Sequence, residues 1–141
     1  KISNFKKVNQ FLGRPYELNG KVIKGNGVGR TIKYPTANIE IKETYKLIPT
    51  KGVYLVKIYL GENEFSGMMN IGNRPTINGL NQTIEVHIFD FDKDIYGENL
   101  KVCFLKKIRK EKKFDSLPSL KSQLKKDEEN CKRILAEHSE N

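Results

Sequence analysis

The sequence has only two cysteines and two histidines, which argues against a structural metal site. Cys103 and Cys131 form no Cys-x-x-Cys pair and no Cys/His group with the spacing of metal ligands. One thiol falls in a strand-like pattern and the other in a helix-like pattern. This placement is typical of reduced core cysteines, so the sequence predicts a cytoplasmic protein without disulfides.

Long hydrophobic runs are also absent. No stretch approaches the ~18 consecutive apolar residues that a membrane span needs, and no signal-peptide core is present. The 141 residues are enough for one domain with a single hydrophobic core. Because the chain begins at Lys1 without an initiator methionine, we expect it to be part of a longer protein.

Positive charge is in excess, and the net charge is +9. Six of the eight residues from 106 to 113 are lysine or arginine. Such a run can contact the phosphates of a nucleic acid, but without interleaved aromatic residues it is more typical of a solvated surface. A basic module that binds nucleic acid therefore stays a second hypothesis.

Short runs of β-branched and aromatic residues, separated by turn residues, predict six strands. Two segments, 42–51 and 70–76, are predicted to be loops because they are rich in polar residues, glycine or proline. The predicted strands are 16–24, 36–41, 52–60, 64–71, 82–91 and 99–108.

Two stretches show the spacing of an amphipathic helix. Residues 4–12 form a short one, which Gly13 ends. From residue 116 the apolar residues recur at spacings of three, four and seven, with Pro118 in the first turn, where its missing N–H is tolerated. Six strands followed by one helix favour a closed antiparallel barrel over a parallel sheet, which needs alternating helices.

The stretch 24–40 is the strongest candidate for a binding site. Gly25, Gly27 and Gly29 precede Arg30, so several backbone N–H groups can turn towards one phosphate. No Gly-Lys-Ser or Gly-Lys-Thr follows, so this is not a Walker A loop. Taken alone, the spacing is explained more often by a glycine-rich turn between two strands.

Directly after this loop, Thr36 and Asn38 lie two residues apart on a predicted strand, so both side chains share one face. Two neutral oxygens beside a phosphate-binding loop suit Mg²⁺, which takes oxygen ligands and shares them with substrate phosphates.

The strand at 82–91 carries one carboxylate, Glu85, among apolar residues. A carboxylate is costly to bury unless it has a partner or a role, so Glu85 is a candidate general base for a hydroxyl that attacks a phosphate. A salt bridge or an exposed barrel face explains it equally well. His87 is interpreted as a hydrogen-bonded structural histidine rather than a catalyst, and Phe89 and Phe91 are expected on the same face.

Taken in order, these motifs resemble the riboflavin kinase family. The resemblance runs in register from residue 12 to 135 and rests on the glycine loop with Pro35-Thr36-Ala37-Asn38, and on 52–54, 70–76, 85–91 and 109–117. It implies a six-stranded antiparallel Greek-key barrel with a C-terminal helix. It also implies transfer of the γ-phosphoryl group of ATP to the ribityl 5′-hydroxyl of riboflavin, with Mg²⁺, to give FMN and ADP.

The same resemblance assigns roles to single residues. Lys33 stands where the family usually has glycine, and Ile77 where it usually has an aromatic residue, but neither departure touches the proposed metal ligands or base. The implied roles are Mg²⁺ binding for Thr36 and Asn38, catalysis for Glu85, ATP-phosphate binding for Gly25, Gly27, Gly29 and Arg30, and shaping of the flavin side for Arg109 and Phe114.

The opening Leu12-Gly13-Arg14-Pro15-Tyr16 is similar to the carboxy-terminal half of bacterial family members that also adenylylate FMN. Residues 1–13 would then be a linker helix from an upstream adenylyltransferase module, and 14–141 the kinase domain. With only His87 and His138, this chain lacks the His-x-x-His phosphate site of such a module, so FMN rather than FAD is the expected product. A catalytically silent flavin-binding domain stays a third hypothesis.

Overall fold

A computed structural model describes residues 16–23, 36–41, 49–76 and 79–139. The predicted helix at 4–12 and the glycine loop lie outside these residues. The elements are β1 (Glu17–Ile23), β2 (Ala37–Ile41), β3 (Gly52–Leu60), β4 (Asn63–Thr76), β5 (Gly79–Ile88), β6 (Asn99–Arg109) and helix α1 (Leu117–Ser139).

The six strands close into an antiparallel barrel in the order β1-β2-β5-β4-β3-β6. Strands β3, β4 and β5 follow one another as neighbours, and β6 returns to lie beside β3, which is the Greek-key arrangement. The predicted fold class, a six-stranded barrel with a C-terminal helix, is confirmed.

Alternate residues of the strands fill the barrel. Tyr54 and Phe104 are completely buried and pack edge to face, with ring centroids 5.5 Å apart. The Tyr54 hydroxyl donates to the backbone carbonyl of Thr50, and burial raises the pKa of this hydroxyl. Lys107 Nζ donates to Thr50 Oγ1 at 2.8 Å and so ties β6 to the segment before β3.

Helix α1 covers part of the outer surface of the barrel. Ser116 Oγ accepts a hydrogen bond from the backbone N–H of Ser119 at 3.2 Å and so caps the first turn. Burial raises the pKa of the Cys131 thiol to about 12, which keeps it protonated. A second hydrophobic cluster lies between the barrel and α1. It consists of Val53, Leu55, Met68, Phe89 and Ile108 from the barrel side and Leu124, Cys131, Ile134 and Leu135 from α1.

Within the described part of the chain, no helix is both long and apolar enough to cross a bilayer.

The prediction of a loop at 70–76 is wrong, because β4 continues to Thr76. Its partner β5 begins already at Gly79, so the ladder runs unbroken from Gly67–Ile88 to Thr76–Gly79. Pro75 pairs with Leu80 near the end of this hairpin, where the ladder ends and a missing N–H is most easily tolerated.

The predicted strand at 82–91 ends earlier, at Ile88. Phe89 and Asp90 form a turn, in which Asp90 adopts a positive φ of 54°. Phe89 still packs beneath α1, whereas Phe91 packs against the barrel core with its ring centroid 4.9 Å from that of Phe65. The expectation that Phe91 shares a face with Glu85 is therefore wrong, since the turn breaks the alternation.

Candidate functional site

Strand register places Asn38 and Glu85 directly opposite each other on β2 and β5. Residues opposite each other in an antiparallel pair point to the same face, with Cβ atoms about 4.5–5.5 Å apart. Thr36 is exposed and lies two residues before Asn38, immediately before β2. The fold thus brings the predicted base next to one predicted metal ligand.

The shared face is the outer surface of the barrel. Ile39 on β2 and Ile84 and Val86 on β5 point into the core, so the residues that alternate with them point outwards. Both Asn38 and Glu85 are half-buried. Glu85 therefore avoids the full cost of a carboxylate inside the barrel, and the feature that distinguishes it is its pairing with Asn38.

Asn70 extends this arrangement by one strand, because it pairs with Glu85 from the other side on β4. We call Asn38, Glu85 and Asn70 the polar row. Asn70 was not among the predicted site residues, although it begins the motif at 70–76. The motif at 70–76 is a sequence signal for Asn70, but its place beside Glu85 depends on the strand register, which the expected loop concealed.

The polar row borders helix α1. One step along β4 and β5, Met68 pairs with His87, and Met68 is buried under the helix. His87 Nε2 lies 4.0 Å from Glu128 Oε2 of α1, and its ring lies 5.8 Å from that of Phe89. His87 thus bridges the barrel and the helix, as a structural histidine does.

The opposite side of the polar row is covered by the segment that joins β6 to α1. Gly72 and Thr83 form the next cross-strand pair on the outer face. A Cβ on Gly72 would clash with Glu111 Oε2 and would lie 3.5 Å from Thr83 Oγ1. The Glu111 carboxylate therefore occupies the space that the absent side chain of Gly72 leaves.

The two residues predicted for the flavin side are close to each other. Arg109 Cζ lies 5.8 Å from the centre of the Phe114 ring. The Arg109 guanidinium is committed to Asp127 of α1, with Nε donating to Oδ1 at 2.9 Å and Nη2 donating to Oδ2 at 2.8 Å. The hydrogen bonds of Arg109 are made to Asp127 and Lys110, not to the polar row.

Gly25, Gly27, Gly29 and Arg30 lie outside the described residues, but both ends of their loop are placed. β1 ends at Ile23, which pairs with Asn38. The connection from β1 to β2 therefore leaves the barrel directly beside the polar row.

The oxygen atoms at the site suit a hard cation that is bound partly by the protein and partly by a substrate. Asn38 and Thr36 offer neutral oxygens, and Glu85 brings a carboxylate next to Asn38. No group of three or more His, Cys, Asp or Glu side chains able to hold a metal exists among the described residues. A few protein oxygens completed by phosphate and water fit the way Mg²⁺ is bound.

The family model and the curated relatives agree with each other. The family model described as "Flavokinase: Riboflavin kinase" matches residues 12–135. The bifunctional riboflavin kinase/FMN adenylyltransferase of Haemophilus influenzae is 52% identical over 125 residues, which cover 88% of this chain and 40% of the relative. The protein of the same name from Bacillus subtilis is 39% identical over 131 residues, covering 91% and 41%.

Two solved structures are similar as well. A Streptococcus pneumoniae structure described as a macrolide-efflux protein superposes with a TM-score of 0.87 and 40% identity, covering 93% of this chain and 43% of that one. Riboflavin kinase from Trypanosoma brucei gives a TM-score of 0.58 and 25% identity, covering 86% and 80%. The chain spans about 40% of the length of the curated bacterial relatives it matches.

Proposed function

The chain belongs to the riboflavin kinase family, and we propose that it transfers the γ-phosphoryl group of ATP to the ribityl 5′-hydroxyl of riboflavin, giving FMN and ADP. The observation that supports this activity best is the cross-strand pair of Asn38 and Glu85, which sets a carboxylate beside a neutral oxygen ligand on the outer face of the barrel. Phosphoryl transfer needs little more from a protein than positioned reactants, charge stabilisation and a base.

Glu85 is the proposed general base. It lies on the outer face of the barrel and is half-buried, not enclosed in the core. A carboxylate within hydrogen-bond reach of the 5′-hydroxyl orients that oxygen and accepts its proton as it attacks the phosphorus.

Thr36 and Asn38 are the proposed protein ligands of Mg²⁺, which would neutralise charge on the transferred phosphoryl group when bound. The backbone at Gly25, Gly27 and Gly29, with Arg30, is proposed to hold the ATP phosphates. Support for this comes from the placed ends of the loop, since Ile23 pairs with Asn38.

On the flavin side we propose that Arg109 and Phe114 act by shaping the segment that follows β6. Arg109 is bound to Asp127 and also donates from Nη1 to the backbone carbonyl of Lys110 at 3.1 Å. The arginine therefore fixes the start of this segment against the helix, and its proposed role is positioning.

The test of the activity is to incubate the chain with riboflavin, ATP and Mg²⁺ and to separate the flavins chromatographically. We expect FMN and an equal amount of ADP. Riboflavin binding without ADP would instead indicate a silent flavin-binding domain. Salt-dependent binding to a DNA duplex, with no flavin binding, would favour the basic nucleic-acid module.

Substitution of Asn38 by alanine tests the metal site. Loss of one oxygen ligand should raise the Mg²⁺ concentration needed for half-maximal FMN formation by about tenfold, while saturating Mg²⁺ restores part of the rate. The measurement is a Mg²⁺ titration at fixed ATP. Asn63→Ala is the matched control, because Asn63 is exposed at the start of β4 beyond the polar row. A titration curve identical to that of the unchanged protein would contradict the assignment.

We also propose that residues 1–13 link the kinase domain, 14–141, to an upstream FMN adenylyltransferase module, because the curated relatives are named for both activities and the chain spans about 40% of their length. A cytoplasmic location is proposed from the two cysteines, which are both free and buried.

A further inference from the structure

One polar atom of the described residues is buried without any hydrogen-bond partner among them, and it belongs to Glu111. Its Oε2 lies over Gly72, in space that exists only because position 72 has no side chain. Glu111 as a whole is only half-buried, so the rest of the residue borders solvent.

This resting position is energetically unfavourable. A carboxylate oxygen that loses its water and gains no donor carries the full desolvation cost of the group. The Glu111 carboxylate is the flexible end of a side chain, and it rests against the backbone of Gly72. A small rotation away from the barrel would rehydrate the oxygen or let it meet a donor.

Strand register gives the distance from this resting position to the polar row. Gly72 lies two residues from Asn70 on β4, and Thr83 lies two residues from Glu85 on β5. Two residues of a strand correspond to about 7 Å. The Glu111 carboxylate and the proposed base, Glu85, therefore lie on the same outer face, separated by about the length of a five-carbon chain.

We propose that Glu111 is a substrate-binding residue whose carboxylate rests over Gly72 in the free protein and turns outwards to accept a hydrogen bond from a secondary hydroxyl of the ribityl chain. This inference rests on the proposed function, because the 5′-hydroxyl must lie at Glu85. The polyol then extends along β4 and β5 and brings its other hydroxyls towards residue 111. The chemical class recognised is a polyhydroxylated chain rather than the flavin ring.

The test compares two ligands and two alanine variants. Riboflavin carries the ribityl chain, whereas lumiflavin has the same ring with a methyl group in its place. Glu111→Ala should weaken riboflavin binding by about tenfold or more, the order expected for a hydrogen bond to a charged group, and leave lumiflavin binding unchanged. The measurement is quenching of flavin fluorescence. Glu129→Ala, at an exposed position of α1, is the matched control and should change neither affinity.

Gly72→Ala tests the resting position separately. A methyl group there would exclude the carboxylate from its place over the strand, so the residue is already turned outwards before substrate arrives. We expect this variant to bind riboflavin at least as tightly as the unchanged chain does, because Glu111 no longer has to leave its position over residue 72 before it binds the substrate. A loss comparable to that of Glu111→Ala would overturn the proposed movement.

The outcomes separate this inference from the proposed function. If the unchanged chain binds riboflavin and Glu111→Ala binds it equally well, the role of Glu111 is wrong while the kinase activity stands. Equal losses for riboflavin and lumiflavin would place the contact on the ring and overturn the proposal of a ribityl hydroxyl. If the unchanged chain binds no riboflavin, both are wrong.

Discussion

Glu85→Gln should reduce kcat for FMN formation by about 10² to 10⁴, the usual contribution of a positioned general base. The glutamine keeps the size and most of the hydrogen-bonding capacity of the side chain but can no longer accept the proton. Because Glu85 is half-buried on the outer face and not in the barrel core, the fold should tolerate the change. The KM for riboflavin should stay within a few-fold of its original value.

The measurement is steady-state kinetics of FMN formation at saturating Mg²⁺ and ATP. Glu62→Gln, in the exposed turn between β3 and β4, removes an equal charge far from the polar row and should leave kcat unchanged. A kcat loss of less than tenfold for Glu85→Gln would remove Glu85 from the role of base.

Asp127→Ala should lower the free energy of unfolding by about 3–5 kcal/mol, the cost of breaking a buried ion pair from one side. Asp127 is 2% exposed and is the only buried charged residue in the described part of the chain. It accepts hydrogen bonds from Arg109 Nε and Nη2 and from Gln123 Nε2 at 2.8–3.0 Å. The alanine variant would leave the Arg109 guanidinium without its counter-charge.

Urea unfolding gives the required free energies. Glu129→Ala on the same helix is exposed and should change stability by less than about 0.5 kcal/mol. The double variant Arg109→Met with Asp127→Leu should recover most of the loss, since apolar replacement of a whole buried pair is often neutral. A cost below about 1 kcal/mol for Asp127→Ala would contradict this account, because it would show that water or another carboxylate replaces Asp127 as the partner of the Arg109 guanidinium.

The same pair of variants can separate stability from function. If Arg109 serves the flavin only by anchoring its segment to α1, the double variant should regain riboflavin affinity together with stability. The positioning role proposed for Arg109 therefore has a readout that differs from that of a direct contact.

Local sequence pattern was sufficient for elements whose stability is local or whose composition is distinctive. β3 runs over the predicted residues, and β6 ends one residue later than predicted, because β-branched and aromatic side chains fill both strands. Helix α1 was predicted from its apolar spacing, and its residues Leu124, Cys131 and Ile134 do pack against the barrel. Leu117 at its start is 49% exposed, because the first turn extends beyond the surface that the helix covers.

The geometry of the site could not be predicted in the same way, because it depends on pairing between distant strands. Nothing local to Asn38 indicates that Glu85 lies opposite, and the pair arises only from the register of β2 with β5. Asn70 was concealed because Gly72 and Pro75 suggested a loop, whereas the ladder with β5 holds the segment extended. The family resemblance implied what Asn38 and Glu85 do, but only the strand register shows that they are neighbours.

The role of Gly72 was hidden for a related reason. A glycine in a strand pattern indicates a bulge, a weak strand or a close approach, and the sequence cannot say what approaches. Here the neighbour is Glu111, which lies beyond the end of β6 and reaches Gly72 only in the folded barrel.

The pairing between β2 and β5 is short. Only Ala37–Val86 and Asn38–Glu85 pair there among the described residues, whereas β4 and β5 pair from Gly67–Ile88 to Thr76–Gly79. A closed barrel is expected to open locally where the pairing between two strands is shortest. The pairing of β2 with β5 is such a place, and it joins the proposed base, Glu85, to the proposed metal ligand, Asn38. Local opening of the barrel at this pairing would separate Asn38 from Glu85, and it would therefore interrupt the reaction without unfolding the chain.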